Sequence, residues 1–494
     1  MSESAVDFWK LGKRDLGTFQ YNINKEGHLS LYAGNKEHDL VYLVEKHGTP
    51  LEIAIPEIVK ENVRDIRTQF ESAIAKQSFE GEYAHCYPMK SSQLEPFVTA
   101  AVEAGANLEV GSYMELLIAK HLLESGKISK ESKVICNGAK NSKYLDEIID
   151  LQDKGYSVIP IVEAEQEYFS LLEQINAKGV PKLDIGIRAR TGVSTNSHWN
   201  SATEQNIFGI SRDSLVDFVL NYVLPERKMS FKILHCHAAS QIESKEDISK
   251  VITALSELYC ELKALEAKDL SIIDVGGGLS VPYDKSKDPY SLENYANEVV
   301  GAIKKVCSER NMSHPSIIVE SGRRTVANAQ LTVFGTQHTK KSGVSGLNWI
   351  RVDGSFMNDL PDTWGVQQKF WYVPLNGLET QISHLRKYWL AGMTCDSDDV
   401  YPPPNHSSNQ EKVDCVLSPP IDRYATLPNG EKLYIAFLDT GAYQDSISGL
   451  GGAHHCLIPE PKKIILKENG EIEVFDTNQD PVKILAQMGW KLGK

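Results

Sequence analysis

One lysine, Lys90, stands where a side chain could do chemistry. In Tyr83–Ala84–His85–Cys86–Tyr87–Pro88–Met89–Lys90–Ser91–Ser92–Gln93, apolar positions alternate and then hand the chain to small polar residues. That is the pattern of a buried strand delivering an amine to the loop at its end. A single lysine is ordinarily a solvated charge, but this one has company. His235–Ile242, Asp274–Gly278, Glu320–Arg323 and Thr394–Ser397 are polar or glycine-rich clusters that also follow apolar runs.

Burial disfavours the charged form of an amine, which suits it to form a Schiff base with an aldehyde cofactor. Pyridoxal phosphate is the natural candidate, and it would need a phosphate cradle, a group at its ring nitrogen and a flat neighbour. The three glycines Gly276, Gly277 and Gly278 after Asp274 would let backbone N–H groups approach an anion, although such a triplet also makes a tight turn. Glu320 and Arg323 offer an acid and a cation beyond another strand, or else a local ion pair. His235 and His237 fall on one side of a strand, but no third metal ligand has obvious spacing, so no metal residue is assigned. His454–His455–Cys456 reads as an ordinary loop, because adjacent residues point opposite ways.

Positioning these groups requires a repeated scaffold. Strand-like runs at Tyr83–Tyr87, Asn107–Val110, Lys133–Cys136, Ser157–Val162, Leu183–Ile187, Phe231–Cys236, Leu270–Val275 and Ser316–Glu320 are mostly separated by segments of helical period. Those segments include Glu95–Glu103, Ser112–Leu123 and Ile248–Ala267. Eight such strands predict a parallel (β/α)8 barrel, whose chemistry gathers at the carboxyl ends of its strands. An N-terminal hairpin around Gly27 and a mostly β region after Thr325, with Asn429–Gly430 and Asn469–Gly470 turns, predict a second domain. The expected division is a barrel over 46–330 and a β-sandwich or β-barrel domain from 1–45 and 331–494. Pro402–Pro404 and Pro419–Pro420 bracket an expected loop excursion.

The 494 residues are too many for one ordinary core. A net charge of −14 argues against nucleic acid or an anionic membrane as partner. Eight scattered cysteines without a CxxC pair predict reduced thiols. With no apolar run of membrane-spanning length and an acidic, interrupted start, the chain is expected to be cytoplasmic.

The ordered set YPMK, HCHAASQI, DVGGGL, ESGR, TCDSD and GAYQ resembles the fold-type III pyridoxal-phosphate decarboxylases of basic amino acids, with an alanine-racemase-like barrel. Within them the chain is most similar to the biosynthetic arginine decarboxylases, a likeness that FQYNINKEGHLSL, IGIRAR, LPDTWGV and VPLNGLE extend over nearly the whole length. The resemblance implies decarboxylation of a basic amino acid, L-arginine to agmatine in polyamine synthesis, by a homodimer or larger homo-oligomer with active sites at the subunit interface. It further implies Lys90 as the cofactor-bearing amine, His237 against the pyridine ring and Glu320 at the ring nitrogen. Ser240, Gly276, Gly277, Gly278, Arg323 and Tyr443 would hold the phosphate. Cys395, from a neighbouring subunit, would protonate the substrate's α-carbon, and Asp396 would receive its basic tail. Asp362, in LPDTWG, is a second carboxylate for that tail, or a turn residue. Mg2+ stays open as an auxiliary ion.

Three features depart from the arginine enzymes. Ala239 replaces the glycine usual before Ser240, Ile207 stands where a lysine is common, and only a short stretch separates ESGR from LPDTWGV where those enzymes carry a long helical insertion. Ornithine, lysine and meso-diaminopimelate therefore remain alternative substrates, and a non-catalytic regulatory homologue the alternative of another class.

Overall fold

The computed structural model describes residues 4–195, 199–200, 206–237, 239–341, 348–378, 386–403, 416–418, 421–449, 453–476 and 480–491. Most of the expected loop excursion, with Cys415, lies outside the described residues. The chain divides into two compact units, one of residues 60–281 and 290–325, the other of residues 1–59, 282–289 and 326–494.

The first unit is the barrel. Its strands are β1 (Tyr83–Pro88), β2 (Asn107–Val110), β3 (Val134–Cys136), β4 (Val158–Val162), β5 (Leu183–Arg190), β6 (Met229–His235), β7 (Ile272–Asp274) and β8 (Ser316–Val319). Each pairs in parallel with the next, β4 pairs with β5, and Ile317–Val319 of β8 pairs with Tyr83–His85 of β1, closing the ring. All eight strands stand where the apolar runs placed them. Inside the ring, Cys86, Ile135, Ile159, Ile161, Ile233 and Ile318 pack together, and branched side chains fill the bore as a barrel of this size requires. Gly186 of β5 makes room for them, since a Cβ there would lie 2.4 Å from Ile161 Cδ1.

Outward-facing strand residues such as Ile185, Ile187, Leu234, Ile273 and Val319 pack with the surrounding helices. The helix Pro56–Gln77 shows why those helices form. It opens on a proline, whose fixed φ and missing N–H suit the first turn. Ile66, Phe70 and Ala73 recur on one face and are buried. The helix Tyr113–Glu124 opens with the Ser112 side chain accepting the N–H of Glu115, a cap recognisable in the sequence.

In the second unit, Tyr21–Ile23, Leu29–Ala33 and Lys36–Asp39 form a three-stranded antiparallel sheet, one strand more than the expected hairpin. The long strand Gln330–Lys341 centres a ten-stranded sheet. Leu51–Ala54, Asn348–Val352 and Tyr434–Phe437 each pair with it antiparallel. Residues 46–59 thus fall in this unit rather than in the barrel, because Leu51–Ala54 also takes Lys462–Ile465 as a parallel partner on its other edge. Residues 282–289 join it as well. Buried Lys285 pairs with the buried carboxylate of Asp439 and donates to the carbonyl of Leu16.

Candidate active site

A cavity of about 690 Å³ opens in the barrel unit. Lys90, Glu109, Glu115, Asn137, Arg188, Phe208, His235, His237, Ser240 and Glu320 line it, and its size is that of a cofactor or substrate pocket.

Lys90 sits on a single 3-10 turn, Met89–Ser91, that directly continues β1. The turn buries Met89 and Ser91 and swings Lys90 into the cavity mouth. The expectation of a buried amine is corrected here: the Lys90 side chain is 46% exposed, with Nζ 3.9 Å from Glu109 Oε2. The turn is braced from beneath. Ser91 Oγ donates to the Pro88 carbonyl, and Tyr87 Oη to that of Ser92. A Cβ on Gly322, in the ESGR segment, would meet Pro88 Cγ and Ser91 Oγ at 2.7 Å, so only glycine fits there.

The cavity floor is acidic. Glu109, Asp274 and Glu320 are buried, from β2, β7 and the residue after β8. Desolvation, reinforced by Asp274, pushes the Glu320 carboxyl up to about 8. Desolvation likewise raises Asp274 to about 7 and Glu109 to about 7. Asn137, which follows β3, donates its side-chain N–H to both Glu320 oxygens at 3.1 and 3.2 Å. His235 Nδ1 lies 3.2 Å from Asp274 Oδ2 and 4.0 Å from Glu320 Oε1, while burial lowers its pKa to about 4. The carboxylates that the sequence spacing did not offer to His235 are therefore supplied by other strands. His235, Asp274 and Glu320 have metal-compatible separations, yet among the described residues only three ligand atoms converge there, and Mg2+ takes an octahedral shell of oxygens.

His237 is half-buried, and desolvation followed by the Lys90 charge holds its pKa well below the usual histidine value. Its Nδ1 accepts the Gly277 N–H at 3.0 Å, so the neutral ring carries its proton on Nε2. The glycine segment works differently from the expected row of open amides. The Gly276 N–H donates to Asp274 Oδ1 at 2.9 Å, and that of Gly277 is used by His237. What the glycines supply is close approach. A Cβ on Gly276 would stand 2.8 Å from His237 Nδ1, one on Gly277 2.4 Å from the Glu320 carbonyl oxygen, and one on Gly278 2.8 Å from that of Ala239. Gly276 and Gly278 also hold φ of +65° and +113°, where side chains are strained. Ser240 lines the cavity on the two-residue strand Ala239–Ser240. Arg323 is buried in the short helix Gly322–Val326.

These residues fit a pyridoxal group. The cavity has an amine at its mouth and Glu109 and Glu320 in its lining, part of an acid cluster with Asp274 in which Asp274 Oδ2 and both Glu109 oxygens are buried without hydrogen bonds. Buried carboxylates call for positive charge, and a protonated ring nitrogen would add to that of Lys90, 3.9 Å from Glu109. Glu109, Asn137 and Arg188 escaped the sequence reading, although each lies at or just beyond the carboxyl end of a barrel strand. The rule that singled out Lys90 and Glu320 would have found them. Arg188 is held by Glu163 at 3.0 Å and lies over the Phe208 ring at 4.8 Å.

The acid cluster carries a pH prediction. A carboxyl whose pKa is raised on folding costs nothing below its unfolded value near 4 and progressively more as pH rises through its folded value. The lowered histidines act oppositely, costing stability as pH falls below about 6.5. Between pH 6.5 and 8.5 the carboxyls dominate. Cofactor-free protein should lose on the order of a few kcal/mol over that range, and Glu320→Gln should flatten the loss. Urea melts of both proteins at the two pH values check this.

In the second unit, Cys395 and Asp396 lie on a loop whose backbone is fixed by buried Asp399. Its carboxylate accepts the N–H groups of Phe356 and Thr394 and the Thr394 hydroxyl. Cys395 is exposed, with Sγ 3.4 Å from Cys456 Sγ. The neighbouring sulfur raises the Cys395 thiol above its ordinary value, which keeps it protonated. The sequence reading of an ordinary loop at His454–Cys456 did not foresee this contact. Asp396 Oδ2 lies 3.6 Å from His455 Nε2. Asp362 is buried and bonded to Gln444, whose Nε2 donates to Asp362 Oδ2 at 3.0 Å and whose Oε1 accepts the Asp362 N–H at 3.2 Å. Tyr443, half-buried, has φ of +70° at the start of the helix Gln444–Ser448.

Residues 63–327 match the model of the pyridoxal-dependent decarboxylase family's pyridoxal-binding domain. The chain belongs to that family. It is 31% identical over 361 residues to the biosynthetic arginine decarboxylase of Prochlorococcus marinus, covering 68% of this chain and 54% of that one. The chain thus spans about half the length of the curated relatives it matches. A solved biosynthetic arginine decarboxylase from Campylobacter jejuni superposes with a TM-score of 0.79 at 21% identity, covering 99% of this chain and 93% of that one. Diaminopimelate decarboxylase from M. jannaschii, in a co-complex with L-lysine, gives 0.78 at 19% identity, covering 96% and 98%. These likenesses show the alanine-racemase-like decarboxylase fold. Among the described residues, no helix is long and apolar enough to cross a membrane.

Proposed function

We propose that this pyridoxal-family chain decarboxylates a basic amino acid, with L-arginine giving agmatine and CO2 as the first-choice reaction. The observation that carries the reading is the convergence of Lys90, His237 and Glu320 on one cavity with an acidic floor. Pyridoxal phosphate, when bound, supplies a protonated ring that takes up the electron pair left by the departing carboxylate. Lys90 would hold the cofactor's aldehyde carbon, Glu320 the proton at the ring nitrogen, and His237 one face of the ring. Ser240, the glycine segment, Arg323 and Tyr443 would hold the phosphate. Cys395, kept protonated beside Cys456, would return a proton to the substrate's α-carbon, and Asp396 would take the cationic tail. By resemblance, the last two come from a second copy of the chain, so the working unit is a homo-oligomer, placed in the cytoplasm by its scattered thiols.

The names of the relatives favour arginine, and the Asp396 carboxylate favours a cationic over an anionic tail. That weighs against diaminopimelate, whose distal carboxylate Asp396 would repel. Incubation with arginine, ornithine, lysine and diaminopimelate, with products identified by mass spectrometry, tests the reading. Agmatine from arginine is expected; no CO2 from any of the four would overturn it.

A further inference from the structure

Outside the barrel cavity, the described residues hold one more cluster with metal-compatible separations, built wholly within the β unit. The sulfurs of Cys395 and Cys456 and a ring nitrogen of His455 all lie within 4.8 Å of one another, and all three residues are exposed. The two sulfurs are 3.4 Å apart, and Asp396 Oδ2 is 3.6 Å from His455 Nε2. A tetrahedral zinc ion with bonds of about 2.3 Å to sulfur and about 2.0 Å to nitrogen or oxygen sets its ligand atoms roughly 3.3–3.8 Å apart. The cluster is close to that spacing with side-chain adjustment alone.

The sequence separates Cys395 from His455 by sixty residues, and one segment brings them together. Gly354–Asp359 accepts the Met393 N–H at the Gly354 carbonyl and donates the Phe356 N–H to Asp399, anchoring the Cys395 loop. From the same segment, buried Asn358 clamps the other side. Its Oδ1 accepts the His455 N–H and its Nδ2 donates to the His455 carbonyl, both at 3.2 Å. Cys456 and Leu457 follow with φ of +55° and +53°, a left-handed conformation costing a non-glycine residue roughly 1 kcal/mol. The turn that aims Cys456 at Cys395 is thus held against a local preference.

We propose that Cys395, Cys456 and His455 form a binding site for a borderline-soft divalent cation, with Zn2+ the best fit, and that the Asp396 side chain swings in from beside His455 to complete it as the fourth donor. Two sulfurs, an imidazole and a carboxylate select Zn2+ over Mg2+ or Ca2+, which take oxygen shells. Both thiols give up their protons to the metal. The site then has a functional consequence, which rests on the role proposed above for Cys395. A metal-bound thiolate has no proton to donate, and Asp396 is withdrawn from the substrate. Zn2+ therefore acts as a reversible inhibitor.

Binding and inhibition are read separately on the reduced holoenzyme. Titration with Cd2+ alone should raise an ultraviolet thiolate-to-metal band saturating at one ion per chain, and Zn2+ should displace it. Cys456→Ser and His455→Ala should each weaken Cd2+ binding at least tenfold, whereas Lys90→Ala should bind as wild type. Absence of the band, or a band unchanged in both Cys456→Ser and His455→Ala, would overturn the site. Zn2+ should also abolish decarboxylation until a chelator is added. Binding without inhibition would leave the metal site standing and remove Cys395 as proton donor.

Discussion

Lys90→Ala protein is expected to lose the visible absorbance of the cofactor-loaded enzyme and at least about 10³-fold in kcat, the scale of deleting a group on which a whole catalytic unit depends. The geometry makes the loss specific. Lys90 is the cation nearest Glu109, 3.9 Å from a carboxylate with no hydrogen bond of its own, so two roles have to be separated. If Lys90 only balanced the acid floor, Lys90→Arg would retain most activity, because guanidinium keeps the charge. If the amine is the point of attachment, arginine fails as completely as alanine. Borohydride treatment of the wild type, followed by peptide mapping, should place the reduced cofactor on Lys90. Full absorbance and turnover in Lys90→Ala would refute the assignment.

The barrel was legible because each strand is a short apolar run and each connection has helical period. Strand ends are where backbone pairing stops and side chains turn into the mouth, so residues just past each run could be named. Burial was less legible. Lys90 looked buried because its neighbours are, but a single 3-10 turn reverses which side chains point inward. The glycines were read as anion-binding amides, whereas two of their N–H groups are consumed by Asp274 and His237. Sequence marks a glycine's freedom, not the partner of its N–H. Long-range partners were hidden for the same reason. Nothing local announces that Asn358 would clamp His455 beside Cys395, or that Leu51–Ala54 would leave the barrel's neighbourhood in the chain for the sheet built on Gln330–Lys341.

Cys395→Ala should lower kcat by about 10²–10⁴-fold, the range for removing a positioned proton donor. KM should change little, since the thiol acts after substrate is held. Cys395→Ser keeps the volume but is a much weaker acid, and it should recover only a small part of the rate. Structural damage alone would be mended by serine, so the comparison isolates acidity. Mixing supplies the stronger test. If Lys90 and Cys395 of one site come from different copies, Lys90→Ala and Cys395→Ala proteins, each inactive, should regain activity when unfolded, combined and refolded together. Random pairing makes half the dimers mixed, each with one intact site of two, so recovery approaches about a quarter of wild type. If both residues served the same chain's site, every mixed dimer would carry two broken sites and nothing would return. A mixture that stays inactive while refolded wild type recovers would therefore place the proton donor and the cofactor's lysine on one copy.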